Sequence, residues 1–173
     1  ETAVVLCNEA LLQPVLHSLP AEVKHVNITM GFPLSQTPVY SFLIALLELH
    51  THGFNFKSGR YTFQSVVTLL KHPYTRQLTG QAELLEKELT RNNRFYPLPG
   101  ELGKDEVLTR LFTPLSGNLN LCIRLSETLQ QVAGIYQANT SGTEDTDAFN
   151  PLYRESLFKA YTTINRFRTL IEE

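Results

Sequence analysis

The sequence predicts an α/β chain in which a small N-terminal strand-helix-strand portion, residues 1–36, precedes a mainly α-helical insertion, residues 37–173. Three observations carry this. Ala3-Val4-Val5-Leu6-Cys7 is a continuous apolar run, His25-Val26-Asn27-Ile28-Thr29 alternates, and apolar residues recur at helical spacing from Thr37 onward. A short unbroken apolar run is the pattern of a strand buried on both faces of a parallel sheet. Strand, helix, strand then implies a parallel pair with a crossover. One such pair is too small for a doubly wound sheet, so the rest of the sheet is expected outside this chain.

The elements follow in order. Asn8 is expected to cap a helix carrying Leu11, Leu12, Val15 and Leu16, divided at Pro14 and closed by Leu19-Pro20. Met30-Gly31-Phe32-Pro33-Leu34 reads as a turn after the second strand, with Gly31 and Pro33 setting the entry into the next helix. Thr37 as N-cap and Pro38 at the first helical position open a long helix whose face is Val39, Phe42, Leu43, Leu46 and Leu49. Gly53 to Phe63 reads as a loop or short hairpin. Val66, Val67, Leu69 and Leu70 mark a short helix stopped at His72-Pro73. Gln81 to Arg91 is a charged helix supported by Glu83 and Lys87 four residues apart. Two longer helices close the chain and are expected to pack together. One is striped by Leu121, Leu125, Leu129, Val132 and Tyr136, the other by Leu157, Tyr161, Ile164 and Ile171, with an exposed polar loop from Asn139 to Asp147 between them.

At 173 residues and 42% hydrophobic the chain can bury a sizeable core. Fifteen Lys and Arg against seventeen Asp and Glu give a net charge of −2, so any nucleic-acid contact must be local rather than the work of a global basic field. Cys7 and Cys122 lack Cys-x-x-Cys spacing, which points to a reduced, cytoplasmic chain. No apolar run reaches the roughly 18 to 20 residues that span a bilayer, so no membrane contact is expected. Glu1 in place of an initiating methionine, and a helical pattern running to Glu173, read as an internal piece of something longer. The sequons at Asn27 and Asn139 are short enough to arise by chance.

No catalytic or metal-binding residue is assigned. Neither Gly-x-x-x-x-Gly-Lys-Ser/Thr nor Gly-x-Gly-x-x-Gly occurs, so no nucleotide-cradling loop is encoded. His17, His25, His50, His52 and His72 lack the spacing of a metal site and read as surface or helix-end residues. No Gly-x-Ser-x-Gly elbow is present. Glu144, Asp145 and Asp147 lack the pattern of a calcium loop and read as a solvated turn. The one constellation with a functional reading is basic. Lys57 and Arg60 share one loop and Lys71, His72 and Arg76 border another, with Arg91, Arg94, Arg166 and Arg168 beyond. Tyr61, Tyr74, Phe95 and Tyr96 interleave with them. Cations and rings so mixed hold phosphates and stack bases along a single strand. Lys57, Arg60, Lys71 and Arg76 are therefore the candidate DNA-binding residues. The competing account is an ordinary charged surface around core aromatics.

The run Val26-Asn27-Ile28-Thr29-Met30-Gly31-Phe32-Pro33-Leu34-Ser35-Gln36-Thr37-Pro38-Val39-Tyr40 resembles a segment of the AddB-like, PD-(D/E)XK-nuclease-bearing helicase-exonuclease family. Ala3 to Leu12 is similar to the preceding element of that family, and Leu69-Leu70-Lys71-His72-Pro73-Tyr74 to a leucine-rich helix ending in His-Pro. The likeness covers about the first 75 residues. It implies that residues 1–36 are a partial RecA-like α/β portion, the start of the second such domain of a UvrD-type helicase, followed by a helical insertion. It also implies a non-catalytic internal module of a DNA repair and recombination protein that processes DNA ends. DNA and a partner helicase subunit would be its partners, and ATP and Mg²⁺ would be bound elsewhere in the parent. Cys7-Asn8-Glu9 follows the first strand where such helicases carry an arginine, which points to an inactive ATPase module. Two rival readings are a stand-alone helical protein-interaction module and part of an ATPase or nuclease whose site is completed outside this chain.

Overall fold

Helix formation dominates from Thr37 onward, because apolar residues recur there at three- and four-residue spacing and the prolines fall in loops or in the first turns of helices. The computed structural model describes residues 4–27, 33–139 and 150–172. Among them the helices are α1 (Leu12–His17), α2 (Pro38–Glu48), α3 (Phe63–Lys71), α4 (Pro73–Leu78), α5 (Gln81–Arg91), α6 (Pro99–Leu102), α7 (Glu106–Leu111), α8 (Asn118–Asn139) and α9 (Asn150–Glu172). The sheet is one antiparallel pair, β1 (Phe54–Asn55) and β2 (Arg60–Tyr61), in register Phe54 to Tyr61 and Asn55 to Arg60.

The α/β expectation is therefore overturned: the fold is mainly α-helical. Val4, Val5 and Leu6 belong to no strand, and Val4 and Val5 are 64% and 88% exposed. Val26 and Asn27 are irregular and exposed, while Ala3, Ile28 and Thr29 and the turn residues Met30 to Phe32 lie outside the described residues. A β-branched run becomes a strand only where neighbours pair its backbone and cover its faces. Among the described residues no strand stands beside it. The crossover helix shrinks to a 3₁₀ turn, Glu9–Leu11, and the short α1. Asn8 does cap this turn, its Oδ1 accepting the Ala10 N–H at 3.0 Å. Pro14 falls in the first turn of α1, where its missing N–H costs nothing, so it does not divide the helix.

Thr37 and Pro38 occupy the N-cap and first positions of α2 as expected. The Thr37 hydroxyl, however, donates backward to the Leu34 carbonyl at 2.6 Å. Val39, Phe42, Leu46 and Leu49 are fully buried, and Leu43 packs partly buried beside them. The end of α2 widens into a π turn, Leu49–Gly53, that turns the chain into β1. A Cβ on Gly53 would stand 2.8 Å from the Cβ of Ser65, so glycine is what lets α3 approach. His72 caps α4, its Nδ1 accepting the Tyr74 N–H at 3.2 Å, while Nε2 meets the Ser41 hydroxyl of α2 at 3.1 Å.

The last two helices form an antiparallel hairpin. Ser126 meets Asn165 at 3.3 Å and Gln130 donates to the Tyr161 hydroxyl at 2.8 Å, one number rising as the other falls. Leu125, Leu129, Val132, Leu157 and Ala160 are buried in the same core as the α2 and α3 residues. Ile171, placed on the buried stripe by its spacing, is 44% exposed. Most of the expected acidic loop, including Glu144, Asp145 and Asp147, and the rest of the Asn139 sequon lie outside the described residues.

Candidate nucleic-acid interface

Asn55 builds the hairpin turn. Its Oδ1 accepts the backbone N–H groups of Lys57 (2.9 Å) and Ser58 (3.2 Å), and its carbonyl accepts that of Gly59 (2.8 Å). Gly59 closes the turn at φ 66°, a left-handed conformation that suits glycine. The turn lifts Phe56 and Lys57 into solvent.

The free edge of β2 is covered by the segment that follows α5. Tyr61 N–H donates to Pro97 O at 3.0 Å and Phe63 N–H to Phe95 O at 2.9 Å, so residues 95–97 run antiparallel to the strand. Asn93, at φ 50°, reverses the chain at the end of α5, with Arg94 N–H returning to Leu89 O at 3.0 Å. The Glu101 carboxylate accepts the Leu98 N–H at 2.8 Å and pairs with Arg94. These two contacts, the backbone donor first, hold Glu101 below the usual carboxylate range.

Arg60 and Tyr96 join the two loops, the guanidinium donating to the Tyr96 carbonyl at 2.9 Å. An open cleft of about 450 Å³ lies between them, lined by Asn55, Ser58, Arg60, Thr62 and Tyr96. Tyr96, 64% exposed, lines it, while Phe56 (62%) and Phe95 (60%) are exposed rings on the same two segments, Phe56 edge-on to Phe54 at 4.9 Å and Phe95 edge-on to Phe63 at 6.1 Å between ring centres. Neither Lys57 nor Arg60 forms an ion pair among the described residues. The structure thus brings together two of the four sequence-predicted residues, beside stacking surfaces.

Lys71 and Arg76 lie elsewhere. Both reach Glu86 of α5, Lys71 at 3.5 Å and Arg76 at 3.1 Å, so three helices are tied by one carboxylate and the group keeps a single net positive charge. The length of α3, roughly 12 Å at 1.5 Å per residue, separates them from the hairpin. Tyr61 and Tyr74, grouped with the stacking rings by sequence, are core residues at 0% and 1% exposure. Phe56 escaped the sequence reading; its signal was its place beside Asn55 in a tight turn, where a large ring has no core to enter.

His50 is a helix-end histidine, in the π turn that ends α2, but not a surface one: it is 6% exposed. Burial, then the nearby Arg124 guanidinium, pushes its pKa down to about 4. His52 meets the Thr51 hydroxyl at 2.9 Å. Among the described residues no three His, Cys, Asp or Glu gather in a way that could hold a metal ion. No described helix is long and apolar enough to cross a membrane. Compared with known proteins, the chain matches no family model, no curated protein and no solved structure.

Proposed function

We propose that this chain is a non-catalytic helical module of a helicase-nuclease-type DNA repair protein, guiding single-stranded DNA across the face formed by the β1–β2 hairpin and the 92–98 segment. The observation that carries this reading is that Lys57 and Arg60, neither in an ion pair among the described residues, share the hairpin with exposed Phe56, and that Arg60 hydrogen-bonds the segment bearing exposed Phe95 and Tyr96. Cations along a backbone track, with aromatic faces for the bases, give sequence-tolerant single-strand binding in which each stacked base contributes about 1–3 kcal/mol. The likeness of residues 26–40 to helicase-exonuclease proteins supplies the biological setting. In that setting ATP and Mg²⁺ belong to other parts of the parent protein.

Fluorescence anisotropy with a labelled oligothymidine of about 15 nucleotides, within the site sizes usual for single-strand modules, tests the reading. Lys57→Glu/Arg60→Glu weakens binding at least tenfold, and Phe95→Ala/Tyr96→Ala weakens it comparably. Unchanged affinity in both variants would reject the site.

One observation favours a second reading, a helical protein-interaction module. Phe158, Phe167 and Leu170 are 68%, 58% and 66% exposed along α9. That reading expects association with a partner protein and indifference to DNA even at low salt.

A further inference from the structure

We propose that the groove between α8 and α9 docks an acidic amphipathic helix of a partner protein, on a surface that stands apart from the hairpin and does not depend on DNA binding. The register of the two helices makes the groove. Ser126 meets Asn165 at 3.3 Å and Gln130 meets Tyr161 at 2.8 Å, so one turn further along α8 Ala133 stands level with Phe158 of α9. A methyl group opposite a phenyl ring leaves the ring uncovered: Phe158 is 68% exposed. A cavity of about 340 Å³ opens beside it, lined also by the buried Leu129 and Leu157, the size of a binding pocket rather than of a packing defect. Arg154, Phe158 and Tyr161, at i, i+4 and i+7, share the face of α9 that borders it.

The polar groups at this groove are chiefly donors. Gln130 Nε2 donates to the Tyr161 oxygen, which leaves the tyrosine O–H to donate outward, and the exposed Arg154 guanidinium offers donors only. Arg154 is in no ion pair among the described residues, whereas Lys159 and Arg168 of the same helix meet Glu155 at 2.8 Å and Glu172 at 3.6 Å. Its neighbours three and four positions away are Asn150, Pro151, Leu157 and Phe158, none of them acidic, so its own helix supplies no counter-charge. The complement of an apolar groove with an unneutralised guanidinium at its edge is an apolar stripe flanked by carboxylate. A helix presents both at i, i+3, i+4 and i+7, and two packed helices form the groove in which a third seats. Single-stranded DNA is the poorer match, because the groove carries one cation and tracking a backbone takes a row of them.

Fluorescence anisotropy of the full chain with two labelled peptides of about 16 residues, long enough to hold a helix, tests the pairing. Both carry leucine at i, i+3, i+4 and i+7; one has glutamate beside the stripe and the other lysine. The native chain binds the glutamate peptide at least about tenfold more tightly than the lysine peptide, and Arg154→Glu, at an exposed position, reverses that order. Ala133→Gln, which fills the groove, weakens the glutamate peptide, while Lys57→Glu/Arg60→Glu leaves it unchanged. Equal affinity for the two peptides, no binding of either, or an affinity unmoved by Arg154→Glu overturns the proposal. A loss in Lys57→Glu/Arg60→Glu would place the peptide on the hairpin, and displacement by oligothymidine would assign the groove to nucleic acid. Binding seen only in Glu144→Gln/Asp145→Asn/Asp147→Asn would make the chain's own acidic stretch the occupant. Each of these outcomes also overturns it.

Discussion

His50 sits where a charge is hard to keep, buried inside the π turn and within electrostatic reach of Arg124. Its folded pKa, about 4, lies below the unfolded value of about 6.5, so the unfolded chain binds the proton more readily. Stability from this residue is full above about pH 6.5 and falls as the pH drops toward 4, by about 3 kcal/mol at most. Urea unfolding at pH 7 and pH 4.5 should show this loss in the native chain and a smaller one in His50→Leu; equal losses would place the pH dependence elsewhere. Glu101 has the same sign. Its lowered pKa adds stability above the ordinary carboxylate range, lost as pH falls through its folded value. Gly53 makes a steric rather than an electrostatic demand. Gly53→Ala drives a methyl to within 2.8 Å of Ser65 Cβ and should cost about 1–3 kcal/mol, read as a lower urea midpoint with an unchanged slope.

Among elements, the joint between α5 and α7 rests on Asp105. One carboxylate oxygen caps α7 by accepting the Leu108 N–H at 2.7 Å, and the other accepts the Thr79 hydroxyl. Thr79 Oγ1 in turn accepts the Gln81 N–H at 3.0 Å where α5 begins. Asp105→Ala removes the cap and strands Thr79, a loss of about 1–3 kcal/mol measurable by chemical unfolding. An unchanged midpoint would show that solvent serves those donors equally well. Elements such as α2, α5 and the α8–α9 pair were legible in the sequence, because stripes of buried leucine and valine repeat at helical spacing, because Thr37-Pro38 marks a helix start and because His72-Pro73 marks the end of α3; that the same His72 caps α4 was not read. The N-terminal portion was not. Val4, Val5 and Leu6 have the composition of a strand, but pairing depends on a neighbour that composition does not encode.

For the molecule as a whole, net charge is near neutral, so the proposed nucleic-acid contact falls to a local patch. Sequence placed Lys57 and Arg60 there. It did not separate them from Lys71 and Arg76, because linear spacing conceals that Glu86 draws the latter pair together at the far end of α3. Nor did it divide the aromatics: Tyr61 and Tyr74 fill the core while Phe56, Phe95 and Tyr96 face solvent, a division set by the hairpin and the segment along β2.

The most direct test of the interface is the salt dependence of oligothymidine binding by the native chain and by Lys57→Glu/Arg60→Glu. Each phosphate neutralised on a single strand contributes about 0.7 to the slope of log affinity against log salt. If both residues meet phosphate, the native slope is negative and the variant's is shallower by at least about 1.4. Identical slopes, or no binding by the native chain at low salt, would contradict the account and leave the exposed faces of α9 as the better place to look for a partner.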